Sequence, residues 1–256
     1  MRNAAPSAFE DAPRPVVAIG NDHLVASELP RHRHRRAQLY YVLKGVATID
    51  TAEGAWIAPP ERALWIPAGV MHSVRMAGAV SSRSVWIEPE VCRERGSRCQ
   101  VLKVSPLLRS LLVAAVDVPL EYDVAGRDGL IMALLLAEVM AASTVSLGVP
   151  FPRSPALARM CLGFLAAPSA RDTIDVWRSE LGMGRRAFTR AFRRETGLSF
   201  AVWRQRACLM AALPRLAAGE PVTAIALDIG YDSPAAFSTM FRRLLGVSPS
   251  RYRATG

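Results

Sequence analysis

The segment FTRAFRRETGLSFAVW (residues 188–203) returns as FSTMFRRLLGVSPSRY (residues 237–252), and the offset of 49 residues holds at every shared position. Shared are Phe188/Phe237, Phe192/Phe241, Arg193-Arg194/Arg242-Arg243, Gly197/Gly246, Ser199/Ser248 and the aromatic pair Trp203/Tyr252. Aromatics four apart lie on one face of a helix, and the arginine pair that follows projects away from it. Upstream of each copy a short helical stretch ends at glycine: Ile174–Leu181 before Gly182, and Val222–Ile229 before Gly230. Helix, tight glycine turn and second helix make a helix-turn-helix, present here twice.

Charge is unevenly spread. Residues 1–150 hold 16 Lys and Arg against 15 Asp and Glu, whereas residues 151–256 hold 16 Arg against 7 acids. A near-neutral half is thus joined to one suited to a polyanion, first of all double-stranded DNA. A DNA-reading helix needs polar tips for base edges and cations for phosphates. The outward face of the first candidate helix offers Arg185, Arg186, Thr189 and Arg190, with Arg193 and Arg194 placed for phosphate. The second offers Pro234, Ala235, Ser238 and Thr239, with Arg242 and Arg243 behind. Arginine can bond guanine in two places, whereas short tips specify less. The first unit is therefore expected to discriminate bases and the second to position.

From Gly182-Met183-Gly184-Arg185-Arg186 through Thr196-Gly197-Leu198-Ser199-Phe200, and from Ile225-Ala226-Leu227-Asp228-Ile229-Gly230-Tyr231 to Gly246-Val247-Ser248-Pro249, the chain resembles the DNA-binding domain of AraC/XylS-family transcription regulators. The resemblance covers about 100 residues. It implies two helix-turn-helix units joined by a long helix, roughly Phe200–Leu216, with base contacts from Arg186, Thr189, Arg190, Ala235, Ser238 and Thr239 at an operator. Three positions depart from the pattern. Arg178 stands where a small residue usually packs, so its stem must snorkel outward. Gly184 replaces a serine cap, a loss of a few tenths of a kcal/mol. Pro214 falls inside the connecting helix, which costs about 3 kcal/mol unless the helix bends or ends there.

The first half reads differently. Val16–Ile19, Gln38–Asp50, Trp56–Ile57, Leu64–Ile66 and Val85–Ile87 are short strand-like runs, punctuated by Pro59-Pro60, Pro67 and Gly69. They predict a β-barrel or sandwich over 16–103, after a loose tail over 1–15. Ser105 caps a helix opening at Pro106, and Asp128 caps a second one reaching Ala142, giving a helical pair over 104–147. Three prolines within 147–155 predict a linker at 148–155, followed by the DNA-binding domain over 156–256. The fold class is α+β: a cupin-like β-barrel with flanking helices, then an all-α domain.

His32, His34 and Gln38, with the later Pro67-Ala68-Gly69-Val70-Met71-His72, resemble the two cupin motifs and the sensor domains of AraC-type regulators. Two histidines at i and i+2 point to one face of a strand, and a turn delivers the third. By this resemblance His32, His34 and His72 would be ligands, with Gln38 where metal-binding cupins carry Glu. Three occupants of the barrel stay open: a divalent transition metal, for which imidazole is a suitable ligand, an organic effector without metal, or a purely structural histidine cluster. No cofactor is certain from sequence. A rival function is a metal-dependent, dioxygenase-like cupin enzyme fused to a DNA-binding domain; the missing Glu argues against it, and a non-enzyme is expected.

Four cysteines show no metal-binding spacing and are expected as reduced thiols. Met1–Ala18 carries Arg2, Glu10, Asp11 and Arg14 without an apolar run, and the apolar stretch Leu130–Ala142 contains Glu138. A secretory signal and a membrane span are therefore not expected, and the cytoplasm is. The helical pair over 104–147 carries two apolar stripes; one could cover the barrel and the other could pair two subunits into a homodimer.

Overall fold

The structure is a computed structural model that describes residues 7–58, 62–76, 79–145 and 147–255. Pro59-Pro60 and the first six residues of the predicted tail lie outside the described residues. The chain divides into two units, Met1–Thr51 with Trp56–Ser146, and Leu147–Gly256 with the short segment Ala52–Ala55.

The first unit opens with a helical turn, α1 (Ser7–Glu10), and continues as β1 (Val16–His23), β2 (Ser27–His32), β3 (Ala37–Lys44), β4 (Ala47–Thr51), β5 (Gly54–Ala58), β6 (Arg62–Ile66), β7 (His72–Met76), β8 (Val80–Ile87) and β9 (Gln100–Lys103). Helices α2 (Pro106–Ala115) and α3 (Arg127–Ala141) and a short strand β10 (Thr144–Val145) complete it. One sheet has the order β1-β8-β3-β6-β9-β10, and a second runs β5-β4-β7-β2. These are two facing sheets of a cupin-like jelly roll, in keeping with the predicted barrel or sandwich. Strand β2 ends the second sheet, and its pairing with β7 breaks register between Leu29 and His32, around Pro30. A proline and a bulge mark an edge strand, so the sheet ends there.

Strand β3 is buried along nearly all its length because its two faces serve different neighbours. Leu39 and Tyr41 join Trp65, Val85 and Ile87 under Leu108, Leu111 and Leu112 of α2 and Met132, Leu135 and Val139 of α3. Gln38 and Tyr40 face the space between the sheets. Ser105 caps α2 as expected, accepting from the Leu108 N–H at 3.0 Å. Helix α3 instead starts from Gly126, with Asp128 in its first turn. Asp123 is engaged in the preceding turn, where its carboxylate accepts from Ala125 N–H and its carbonyl from Gly129 N–H. The predicted loose tail is also corrected: Phe9 is buried and stacked on Trp86, with centroids 5.8 Å apart. A single aromatic anchor outweighs the Pro/Ala composition around it.

The second unit comprises β11 (Val149–Pro150), α4 (Pro155–Ala166), α5 (Ile174–Glu180), α6 (Arg185–Thr196), α7 (Phe200–Ala217), α8 (Val222–Asp228), α9 (Pro234–Leu245) and α10 (Pro249–Thr255). The predicted linker is not a free connector. Leu147 and Val149 are buried, Trp203 Nε1 donates to the Pro150 carbonyl at 2.8 Å, and Arg206 donates to that of Gly148 at 3.0 Å. Phe188, Phe192, Phe200, Trp177, Trp203 and Phe164 form one aromatic core with centroids 4.9–6.2 Å apart. Tyr231, Phe237, Phe241 and Tyr252 repeat the frame in the second unit. Pro214 is accommodated in the last turn of α7, which runs three residues past it.

Capping differs between the two recognition helices. Ser233 Oγ accepts from Ala236 N–H at 3.2 Å at the start of α9, whereas Gly184 leaves α6 without a side-chain cap. Ser233→Ala is therefore expected to lower stability by about 1 kcal/mol, and Gly184→Ser to raise it by a few tenths. Urea unfolding of the full chain reads both.

Candidate functional site

Both helix-turn-helix units are built as their sequence spacing requires. Helices α5 and α6 flank Gly182 at φ 63°, and α8 and α9 flank Gly230 at φ 79°. The second turn tolerates glycine alone, since a Cβ at Gly230 would lie 2.7 Å from Ser169 Oγ in a left-handed conformation. Arg178 snorkels as expected: it is half-buried and pairs with Asp175 at 2.7 Å, while its counterpart Ala226 is fully buried.

Residues Arg186, Thr189, Arg190 and Arg193 occupy positions i, i+3, i+4 and i+7 of α6, opposite Phe188 and Phe192, and all four are exposed. Ala235, Ser238, Thr239 and Arg242 form the matching stripe on α9, with Ser238 half-buried and the others exposed. Among the described residues no carboxylate lies within ion-pair distance of Arg186, Arg190, Arg193 or Arg242, so their charge is free for an external anion. Arg185 is different, because Asp175 of α5 holds its guanidinium at 2.8 Å. Asp175 is itself kept ionised well below the usual carboxylate range, chiefly by its bond from Arg178 and then by the charges of Arg185 and Arg178. Arg194 pairs with Glu195, and Arg243 donates to Gln205 on α7. The pairing of Arg185 was not legible, since Asp175 precedes it by ten residues across a turn. The threonines Thr189 and Thr239 each donate their hydroxyl to the carbonyl four residues back, Arg185 at 2.9 Å and Ala235 at 3.0 Å.

Between the two sheets of the first unit lies a cavity of about 390 Å³, lined among others by Phe9, His32, His34, Gln38, Tyr40 and Trp86. The structure brings His32, His34 and His72 together: one ring nitrogen from each falls within 4.8 Å of the others. The route differs from the predicted one. Of the first-motif pair only His32 is on a strand, where the bulge in β2 sets it directly opposite His72 of β7. His34 lies in the loop after β2, and its carbonyl accepts from Gly69 N–H at 2.8 Å. That bond ties the Pro67–Gly69 turn to the first motif, and Gly69 adopts φ 75° to make it.

The imidazoles are oriented alike. His32 Nδ1 donates to the Pro30 carbonyl at 2.6 Å, His72 Nδ1 to that of Val70 at 2.9 Å, and His34 Nδ1 to Glu10 Oε1 at 3.2 Å. Oxygen acceptors at Nδ1 fix the proton there and leave Nε2 a lone pair. The Nε2 atoms of His34 and His72 are buried and make no hydrogen bond. Burial lowers the pKa of His72 to about 4 and lowers that of His34 too, against the opposing bond from Glu10. Both rings are therefore neutral at pH 7. Gln38 donates from Nε2 to Ser84 Oγ at 3.0 Å, leaving its own Oε1 buried and unbonded. Arg33 is exposed, and Arg35 and buried Arg36 share Glu88 at 2.6 and 2.8 Å.

A pair of helix-turn-helix units with free cationic faces, preceded by a jelly-roll unit with a ligand-sized cavity, defines a ligand-responsive transcription regulator. Comparison with known proteins agrees. Residues 15–159 match the AraC-like ligand binding domain and residues 177–255 a helix-turn-helix domain. The chain is 32% identical over 238 residues to the HTH-type transcriptional regulator NimR of Escherichia coli K12, covering 93% of this chain and 86% of that one. It is 37% identical over 81 residues to the regulatory protein SoxS of the same organism, covering 31% of this chain and 76% of SoxS. It is also similar to the DNA-binding domain of the transcriptional factor AdpA, crystallised with a target DNA, at 31% identity and a TM-score of 0.38, over 40% of this chain and 92% of that domain. The chain belongs to the AraC family of transcription regulators.

Proposed function

We propose that this regulator senses a divalent transition metal in the sensor cavity and reads its operator unequally with its two recognition helices. The observation that carries the metal is one ring nitrogen from each of three histidines within 4.8 Å of the others, with the Nε2 atoms of His34 and His72 buried and without a hydrogen bond. Three nitrogen ligands and the Gln38 oxygen suit zinc, nickel, iron or cobalt better than magnesium or calcium. Three protein nitrogens also leave coordination positions for a small molecule entering the cavity, so metal and organic effector are compatible occupants.

The apolar residues Leu130 and Leu134 of α3 and Leu107 of α2 are exposed on the side away from the sheet. They support pairing of two subunits as a homodimer. Among the described residues no helix is long and apolar enough to cross a membrane, and the three buried thiols, each held well above the ordinary range by burial, suit a reducing cytoplasm. The protein acts by binding, without turnover: iron-loaded full chain is expected to consume oxygen no faster than buffer.

The test is operator affinity of metal-free full chain with and without added zinc. Coupling between two sites is commonly 1–3 kcal/mol, about 5- to 150-fold in affinity. A shift in that range supports metal sensing, provided His34→Ala removes it. Equal affinities with demonstrated zinc binding would reduce the metal to a structural role.

A further inference from the structure

We propose that Glu10 is the outer-shell carboxylate of this metal site, which makes the N-terminal turn a working part of the sensor. The inference rests on the metal reading above. Histidine ligands donate their second nitrogen to a carbonyl or carboxylate, which fixes the tautomer and raises ligand basicity. His32 and His72 each find a carbonyl two residues back in their own chain, at Pro30 and Val70. His34 instead reaches Glu10, 24 residues earlier in the sequence.

The carboxylate is held in place. Glu10 Oε1 also accepts from the Arg35 backbone N–H at 3.1 Å, and the Glu10 carbonyl accepts from the Arg35 guanidinium. Phe9 stacks on Trp86, whose ring meets His34 edge-on at 4.2 Å. Further along, buried Arg36 donates to the carbonyls of Ala12 and Arg14 while pairing with Glu88. The His34 ring is thus boxed on one side by Trp86 and oriented on another by Glu10. Without Glu10 its Nδ1–H loses its acceptor, and nothing then selects the tautomer that aims Nε2 at His32 and His72.

The experiment measures zinc affinity of the full chain by competition with a chromophoric chelator. Glu10→Ala is expected to bind zinc 10- to 100-fold more weakly than wild type. Glu10→Gln should recover part of the loss, since its side-chain oxygen can accept the same N–H. Asp11→Ala removes the neighbouring carboxylate, which is exposed and outside the cavity lining, so it should stay within about threefold of wild type. Cobalt-loaded protein supplies a second readout: its visible bands should shift in Glu10→Ala and not in Asp11→Ala. Unchanged affinity in Glu10→Ala overturns the proposal. So does an equal loss in Asp11→Ala, because negative charge on the turn alone would then be what matters. A wild-type chain that binds no zinc overturns the metal reading itself.

Discussion

Replacing Arg186 and Arg190 together with alanine is expected to weaken binding to a preferred operator by about 2–6 kcal/mol, while binding to random DNA falls far less. The estimate takes each arginine as one two-point contact to guanine, at about 1–3 kcal/mol of discrimination. Both residues are exposed on the outward stripe of α6 and carry no internal ion pair, so no intramolecular bond has to be broken before they meet a base. Arg185, tied to Asp175, is not equivalent, and Arg185→Ala should cost less. The contrast is with Arg242→Ala, which lies behind a stripe of Ala235, Ser238 and Thr239. Those tips are short, and Thr239 spends its hydroxyl proton on the Ala235 carbonyl, leaving a methyl group suited to thymine. Arg242 is therefore read as a phosphate contact. Its loss should weaken all sequences alike and reduce the slope of log affinity against log salt by about 1. Fluorescence anisotropy on specific and scrambled duplexes across a salt series separates the two behaviours. Indistinguishable profiles would remove the division of labour between the helices.

The DNA-binding half was legible because its signals are local. An aromatic pair four apart, an arginine pair, a capping residue and a glycine fix helix, face and end within one turn of chain, and duplication confirms each by its copy. The sensor half was legible in residue type and poorly in geometry. The histidines could be picked from spacing, but His34 reaches the cluster from a loop held by Gly69, a contact 35 residues distant that no alternation rule contains. The register break around Pro30, which sets His32 opposite His72, is likewise absent from any local pattern. Glu10 and Phe9 were invisible for the same reason: their partners, His34 and Trp86, lie far along the chain, and the Pro/Ala composition around them reads as a tail. The Arg35–Glu88–Arg36 cluster had the same obstacle. It sets one carboxylate, Glu88, against Arg35 and buried Arg36 of the basic run 31–36.

The second large effect concerns the metal and has two arms of opposite sign. His72→Ala is expected to lower zinc affinity about 100-fold or more. Tetrahedral protein sites bind zinc with about 10–16 kcal/mol, so one of four donors accounts for about 3 kcal/mol. His72 is the most committed of the three imidazoles: it is buried, neutral at pH 7, and fixed by its Nδ1 bond to the Val70 carbonyl. Gln38→Glu should act in the other direction. Three imidazoles and a carboxamide leave the ion its full charge, and a carboxylate at position 38, accepting from the Ser84 hydroxyl where Gln38 donates to it, would offset that charge in a low-dielectric cavity. The same carboxylate without metal is a buried, uncompensated charge, which destabilises the fold. Zinc should therefore raise the unfolding temperature of Gln38→Glu by more than that of wild type, from a lower starting point. A cavity that takes only an organic ligand predicts neither arm. It would leave zinc without effect on the unfolding temperature of wild type, His72→Ala and Gln38→Glu alike, and that result in differential scanning calorimetry would remove the metal from the sensor.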